Sequence, residues 1–185
     1  MNLKVTDELF VKAKRFFGVF ICSLAAIGLV SCAGSGGKDS TPSPSIATEK
    51  PVNLNIDVAE LAKEMFESGD YTDELSQLED DMFDAVFQTV DLQMLTSKVA
   101  YVGSGASAEQ IVVAEAKDEA SANKVKEALS QKVKDDISQN EDYLPQEVNK
   151  LENPVLVVDG KYVILCVSND NDKIEQILLK KGIKA

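Results

Sequence analysis

The sequence predicts an α+β domain in which a mainly antiparallel sheet is built from two ββα units, with N-terminal helices packing on it. Two pairs of β-rich runs are each joined by a turn signal, and each pair is followed by a run of helical period. Two further helical runs precede the first pair. Strands joined by tight hairpins are antiparallel neighbours. Residues 56–185 are enough chain for one domain with one hydrophobic core.

The N-terminal helices are predicted from capping and periodicity. Asp57 and Glu60 have the spacing of a capping box, and Gly69 is a typical C-terminal stop. Between them, apolar residues recur at i, i+3, i+4, i+7 and i+8. These are Val58, Leu61, Ala62, Met65 and Phe66. A second helix is predicted over residues 78–87, with an apolar stripe made of Met82, Phe83, Val86 and Phe87.

The first ββα unit begins near Lys98. Residues 99–102 and 111–114 are β-rich runs joined by residues 103–108, a Gly/Ser/Ala loop, and they predict a hairpin. Asp118 is then expected to cap a long helix. Its inward residues are predicted to be Ala122, Val125, Leu129, Val133 and Ile137.

The second unit repeats the pattern. Residues 155–158 and 162–167 flank Asp159-Gly160, a turn pair that favours a tight hairpin. Asp172 and Glu175 open a last helix that ends at Gly182.

Both faces of the second hairpin are apolar, so both need a cover. We expect one face to meet the two ββα helices through Val125, Leu129, Ile174 and Ile177. The other face is expected to meet the first helix through Val58, Leu61, Met65 and Phe66. Cover by the chain's own helices is the default, because long exposed apolar strands are an aggregation hazard. A partner protein covering that face is the alternative.

The N-terminus has the parts of an export signal. Four basic residues precede residues 16–30, which carry no charge and are too few to span a bilayer as a resident helix. Leu29-Val30-Ser31-Cys32 resembles the lipobox of bacterial lipoproteins. The resemblance implies cleavage between Ser31 and Cys32 and a diacylglyceryl group on the Cys32 sulfur. An ordinary secretory signal that happens to end at a cysteine is the alternative.

The predicted organisation has three parts. Residues 1–31 are a lipoprotein signal peptide, 32–55 are the lipidated Cys32 and a flexible Gly/Ser/Pro tether, and 56–185 are the domain. The expected location is the extracytoplasmic face of the cell membrane. The membrane is contacted through lipid on Cys32, because lipid chains anchor a protein that has no spanning helix.

Charge and cysteine content limit the function. Without residues 1–31 the chain keeps 15 Lys+Arg and 29 Asp+Glu, a net charge of −14, which argues against nucleic acid as a partner. Cys166 is then the one thiol left, inside an apolar run, and is predicted to be a small buried hydrophobic residue. The chain has no histidine to activate it.

Four segments are weak candidates for chemistry, and each has a structural interpretation as well. The amides of residues 103–108 could hold an anion, or the loop is a plain turn. Asp170 and Asp172 could bind Ca²⁺, or cap the last helix. Glu79-Asp80-Asp81 could supply the acids of a hydrolase, or begin a helix favourably. Residues 143–145 could bind a ligand, or form a packed linker in which Tyr143 covers the helix end.

The chain resembles a family of Gram-positive bacterial lipoproteins that carry a domain of unknown function. The resemblance covers about residues 58–179. It depends on Asp57-Val58-Ala59-Glu60-Leu61, on residues 101–111, on Tyr143-Leu144-Pro145-Gln146-Glu147 and on the turn at Asp159-Gly160-Lys161-Tyr162. It implies a lipid anchor and brings no established activity.

These observations predict a non-catalytic binding or interaction module of the cell envelope. No cofactor and no metal is expected, and the partner would be an envelope protein, a glycan or a small solute. An envelope hydrolase that uses acidic residues is the alternative. It would require a concave site with paired acids of shifted pKa.

Overall fold

The computed structural model describes residues 54–184. The predicted signal peptide, Ser31, Cys32 and the tether up to residue 53 lie outside the described residues. The helices are α1 (Val58–Ser68), α2 (Asp80–Val86), α3 (Glu119–Tyr143), α4 (Val148–Glu152) and α5 (Asn171–Lys180). The strands are β1 (Ser76–Gln77), β2 (Leu95–Val102), β3 (Gln110–Ala116), β4 (Val155–Asp159) and β5 (Tyr162–Val167). Short 3₁₀ turns at Leu92–Met94 and Pro145–Glu147 precede β2 and α4.

The five strands form one sheet in the order β1-β2-β3-β5-β4, and every neighbouring pair is antiparallel. Two hairpins, β2–β3 and β4–β5, lie side by side, and each is followed by a helix. The predicted α+β class and its two ββα units are therefore confirmed.

Strand β5 shows why the sheet needs helices on both sides. All six of its residues are buried, and successive side chains point to opposite faces. Tyr162, Ile164 and Cys166 join the cluster formed with α1 and α5. The alternate residues join the cluster formed with α2, α3 and α4, and they are Val163, Leu165 and Val167.

The predicted assignment of helices to faces is partly wrong. α3 covers one face together with α2 and α4, but α5 lies on the opposite face beside α1. Lys181, just after α5, pairs with Glu60 and Glu64 of α1 at 3.0 and 2.8 Å. The period of a strand decides which of its residues share a face. It does not decide to which face the chain turns after a hairpin, and α3 already fills its own side.

The ends of the helices follow local chemistry closely. The Asp57 carboxylate accepts hydrogen bonds from the amides of Ala59 and Glu60, at 2.9 and 3.0 Å, at the start of α1. Gly69 ends that helix, and a Cβ there would lie 2.4 Å from the Tyr71 ring. Asp118 caps α3 through the amide of Ser121 at 2.7 Å.

Three local predictions need correction. α2 is shorter than residues 78–87, and Met82, predicted to lie in its apolar stripe, is 49% exposed. The turn of the second hairpin is Gly160-Lys161, because Asp159 still pairs with Tyr162. Gly160 has φ +57°, a backbone conformation that favours glycine.

No helix within residues 54–184 has the length and apolar character needed to cross a membrane.

A pair of methionines tests whether α1 belongs to the core. Met65 is fully buried, so Met65→Ala should lower the free energy of unfolding by about 2–5 kcal/mol. Met82→Ala is the matched control, and as a surface change it should cost no more than about 0.5 kcal/mol. Urea unfolding followed by circular dichroism measures both values. Equal small losses would show that α1 contributes little to the core.

Candidate functional site

Three charged side chains are withdrawn from solvent at one end of the sheet. The side chain of Glu109 is fully buried, that of Glu147 is 8% exposed and that of Lys150 is 15% exposed. Charged groups are rarely this buried unless they are paired. The Lys150 Nζ lies 2.8 Å from Glu109 Oε1 and 3.0 Å from Glu147 Oε2. One lysine therefore joins two glutamates, and these three residues are called the ion triad below.

The Glu109 carboxylate also accepts hydrogen bonds from the main chain. The amide of Thr72 donates to both of its oxygens, at 2.9 and 2.8 Å, and the amide of Asp73 donates to one at 2.9 Å. The Ser107 hydroxyl adds a fourth contact at 3.2 Å. This single side chain therefore ties the segment after α1 to the loop between β2 and β3.

Glu147 and Lys150 bring a third segment to the same place. The Glu147 carboxylate accepts a hydrogen bond from the amide of Ala108, at 3.2 Å, so residues 145–152 lie against the β2–β3 loop. Asn169 follows β5, and it donates its backbone amide to Asp70 and its side-chain amide to Thr72, at 2.9 and 3.0 Å. Four segments distant in sequence thus converge at this end of the sheet, which we call the loop end.

The pKa values at the triad follow from this pairing. Burial alone would raise the pKa of Glu109, but hydrogen bonds from Lys150 and from the amides of Asp73 and Thr72 outweigh burial and hold it below its ordinary value. Burial alone would lower the pKa of Lys150, but its bonds to Glu109 and Glu147 raise it above its ordinary value. Lys150 and Glu109 are both charged at neutral pH.

The β2–β3 loop is fastened a second time by Asp73. Its carboxylate accepts hydrogen bonds from the amide of Ser104 at 2.7 Å and from the Ser104 hydroxyl at 2.8 Å. These bonds lower the pKa of Asp73. A Cβ at Gly103 would lie only 2.7 Å from the Asp73 carboxylate, so a larger residue there would displace this carboxylate from Ser104.

Of the amides proposed to hold an anion, those of Gly103, Ser104 and Ala108 already have partners in the chain. Ser104 donates its amide to Asp73, and Ala108 donates its amide to Glu147. The loop does surround negative charge, but that charge belongs to the protein's own carboxylates.

Cys166 lies below the triad and is buried, as predicted. The Tyr71 hydroxyl lies 3.6 Å from its sulfur and donates to the carbonyl of Met65 at 3.0 Å. Burial raises the pKa of the Cys166 thiol to about 12, and burial also raises the pKa of Tyr71. The thiol is therefore protonated at neutral pH and is a weak nucleophile.

Above the triad, the surface of the loop end is exposed. Ser104, Gly105 and Ala106 are exposed at the tip of the β2–β3 loop. α3 continues ten residues beyond Val133, its last buried residue, and ends at Tyr143. Tyr143 is 75% exposed, so the prediction that it covers the helix end is wrong. An exposed aromatic side chain and an exposed small-residue loop thus lie at this end of the domain.

The two acidic candidates lie elsewhere and have local roles. Asp170 caps α5 by accepting from the amide of Lys173 at 3.2 Å. Residues 54–184 contain no group of three His, Cys, Asp or Glu side chains placed to hold a metal ion. Glu79 and Asp80 line a shallow groove of about 210 Å³ with Lys98 and Phe83, and the Asp80 carboxylate pairs with Lys98 at 2.6 Å. All three residues of the 79–81 cluster are exposed, not buried as a split-pKa acid pair would require.

Sequence reasoning did not find the ion triad. Glu147 and Lys150 have helical spacing, which on its own usually marks an exposed pair. Glu109 was the one available signal, because it lies two residues before the apolar run Ile111-Val112-Val113-Ala114. Its partner is 41 residues away, so no local pattern could identify it.

The fold and the triad define a class: an α+β domain with a helix layer on each face of its sheet and a buried ion network at one end. The chain belongs to the family described as Domain of unknown function (DUF4358), which matches residues 67–168, more than half of its length. Every residue of the ion triad lies inside the matched region. No curated protein and no solved structure matches the chain.

Two lysines test the energetic role of the triad. Lys150→Met would leave two carboxylates in a site that lacks their cation, so we expect a loss of about 3–5 kcal/mol in unfolding free energy. Lys173→Met is the matched control, because Lys173 pairs with Asp70 and Asp170 at 3.7 and 3.5 Å on the surface. That change should cost no more than about 1 kcal/mol. Similar losses in urea unfolding for the two variants would contradict a special role for Lys150.

Acid should weaken the triad through Glu109. Because the folded pKa of Glu109 is lowered, its contribution is fully present above its unfolded pKa and is lost as the pH falls through the folded value. Below about pH 4.5, the ordinary value for this group, the parent chain should lose stability more steeply than Glu109→Gln. Urea midpoints measured across a pH series give the comparison. Parallel profiles would show that Glu109 does not titrate as the structure indicates.

Proposed function

We propose that this protein is a lipid-anchored, extracytoplasmic module of the cell envelope that binds a partner without catalysis. The anchor is argued from sequence. Residues 16–30 are uncharged, and Leu29-Val30-Ser31-Cys32 follows the pattern at which lipoprotein precursors are cleaved and lipidated. Lipid on Cys32 holds the chain at the membrane.

The pairing, burial and protonation of the reactive groups within residues 54–184 disfavour catalysis. Glu109 and Glu147 are neutralised by Lys150 and by main-chain amides. The Cys166 thiol is buried and protonated, and the full sequence contains no histidine. A general acid or base must have a proton to exchange near neutral pH. The lowered pKa of Glu109 and the raised pKa of Lys150 hold these two groups away from that state. No observation favours the hydrolase alternative.

The binding role is carried by one observation: a buried ion network underlies an exposed loop surface. Burying three charges stabilises a fold less than apolar packing would, so such networks are better explained by the geometry that they impose. Here the triad and Asp73 fix the backbone of the loop that carries Ser104, Gly105 and Ala106. Loops held by a rigid scaffold are where proteins place binding residues. We assign the partner site to this loop end.

The partner is expected among envelope proteins, glycans and small solutes. A net charge of −14 without the signal peptide disfavours nucleic acid. Tyr143 presents a flat aromatic ring beside polar groups, which suits a sugar ring or a protein side chain alike. No cofactor is needed for such binding.

Two cysteine variants test the anchor. Cys32→Ala should abolish incorporation of a labelled fatty acid and leave the chain uncleaved or released from the membrane. Cys22→Ala is the matched control, because Cys22 lies inside the uncharged run and should not affect lipidation. Both are scored in cells by fatty-acid labelling and by N-terminal analysis of the membrane fraction. Finding Met1 at the terminus of the mature, membrane-bound chain would reject the proposal.

A photo-crosslinking amino acid tests the site. Benzoylphenylalanine placed at Tyr143 in living cells should give an adduct, whereas the same residue at Met82 should not. Both positions are exposed, at 75% and 49%, but only Tyr143 belongs to the loop end. Adding Lys150→Met should reduce the Tyr143 adduct by releasing the loop. Equal labelling at the two positions would show that the loop end is not a selective surface.

A further inference from the structure

The two edges of the sheet are built differently. The β2 edge is partly covered by β1, and it carries Lys98, a residue type that opposes the addition of further strands. The opposite edge is β4, whose first four residues are Val155, Leu156, Val157 and Val158. It has no charge until Asp159, and it pairs with β5 without a register shift. Between Pro154 and Asp159, residues 155–158 of this edge carry none of the charges, prolines or bulges that usually prevent strand pairing.

The hydrogen-bonding phase of β4 follows from its turn. A two-residue turn at Gly160-Lys161 makes Asp159 and Tyr162 a hydrogen-bonded pair, so Val157 and Val155 also bond to β5. Leu156 and Val158 then direct their N–H and C=O groups away from β5. Within residues 54–184 no other segment hydrogen-bonds to these four groups.

We propose that the β4 edge pairs with the β4 edge of a second copy of this chain, antiparallel about a two-fold axis at Val157. In this register Leu156 lies opposite Val158 of the second copy, and each pair exchanges two hydrogen bonds. All four outward groups of each copy are then satisfied. The two five-stranded sheets become one continuous sheet.

The side chains fit the same register. Val157 lies on the α1 and α5 side of the sheet and meets its own symmetry mate, while Leu156 and Val158 lie on the α3 side and meet each other. All three are only partly buried in the single chain, so pairing would remove apolar surface from water.

Charge does not oppose pairing at this place, although it does elsewhere on the surface. Two chains that each carry a net charge of −14 without the signal peptide repel one another over most of their surfaces. Along β4, residues 155–158 are uncharged, and the two-fold register places Asp159 opposite Val155. No two like charges face each other across the proposed pair. An isologous contact of this kind closes on itself and stops at a dimer.

Cysteine crosslinking tests the register. At a non-hydrogen-bonded antiparallel pair the two Cα atoms lie about 4.5 Å apart, a separation that a disulfide can bridge. Mild oxidation of the purified full chain carrying Val157→Cys should therefore give a dimer band on a non-reducing gel. Val99→Cys is the matched control, since Val99 is a partly buried valine near the other edge. The parent chain gives the background from Cys22, Cys32 and Cys166.

We expect the dimer fraction of Val157→Cys to exceed both the parent and Val99→Cys several-fold. A dimer yield no higher than that of Val99→Cys would overturn the proposal. A crosslink within one chain, or to a different protein, would also overturn it by showing another occupant of the edge.

Two further variants keep the test independent of the introduced thiol. Val157→Lys places two ammonium groups against each other across the axis, and Val158→Pro removes an N–H that β5 does not use. Both should convert the dimer to monomer in light scattering while circular dichroism and the melting transition are retained. A parent chain that is monomeric at every concentration measured would reject the interface.

Discussion

Strand β5 is buried on both faces along its whole length, and the placement of the helices follows from that burial. A strand of this kind needs apolar cover above and below, so the sheet cannot lie against a single layer of helices. α1 and α5 supply one cover, and α2, α3 and α4 supply the other. The N-terminal helices are therefore as much a part of the core as the ββα units are.

The loop end follows a different rule. Its segments meet through charge and main-chain hydrogen bonds instead of apolar contact. Glu109 accepts four hydrogen bonds from three neighbours in addition to Lys150, and every buried side-chain N or O atom of residues 54–184 has a partner. Polar networks that are completely satisfied define one geometry, because any displacement leaves a charge without its partner. Apolar packing thus holds the helices on the sheet, whereas ion pairs and hydrogen bonds fix the shape of the loop end.

Sequence reasoning recovered the parts of the fold that depend on neighbours along the chain. The capping by Asp57 and Asp118, the two hairpins and the inward stripe of α3 all follow from spacing within one element. β1 and α4 escaped it, because Ser76-Gln77 is polar and only two residues long and α4 has a single buried residue, Leu151. The face chosen by α5 and the pairing of Glu109 with Lys150 are long-range outcomes. They depend on which surfaces remain open after other elements have packed. The spacing of apolar residues within one element does not predict this.

The N-terminal segment and the loop end lie at opposite ends of the strands. The amide of Ile56 donates to the Tyr162 hydroxyl at 3.1 Å, so the chain enters beside the start of β5. The loop end lies at the other end of the same strands, where Gln110 pairs with Val167. A strand of seven residues such as β3 is roughly 23 Å long. The N-terminal segment therefore joins the pole remote from Tyr143 and the β2–β3 loop. A fluorescent protein or a solid support attached through that segment would leave the opposite pole open, whereas one attached near residue 105 would block it.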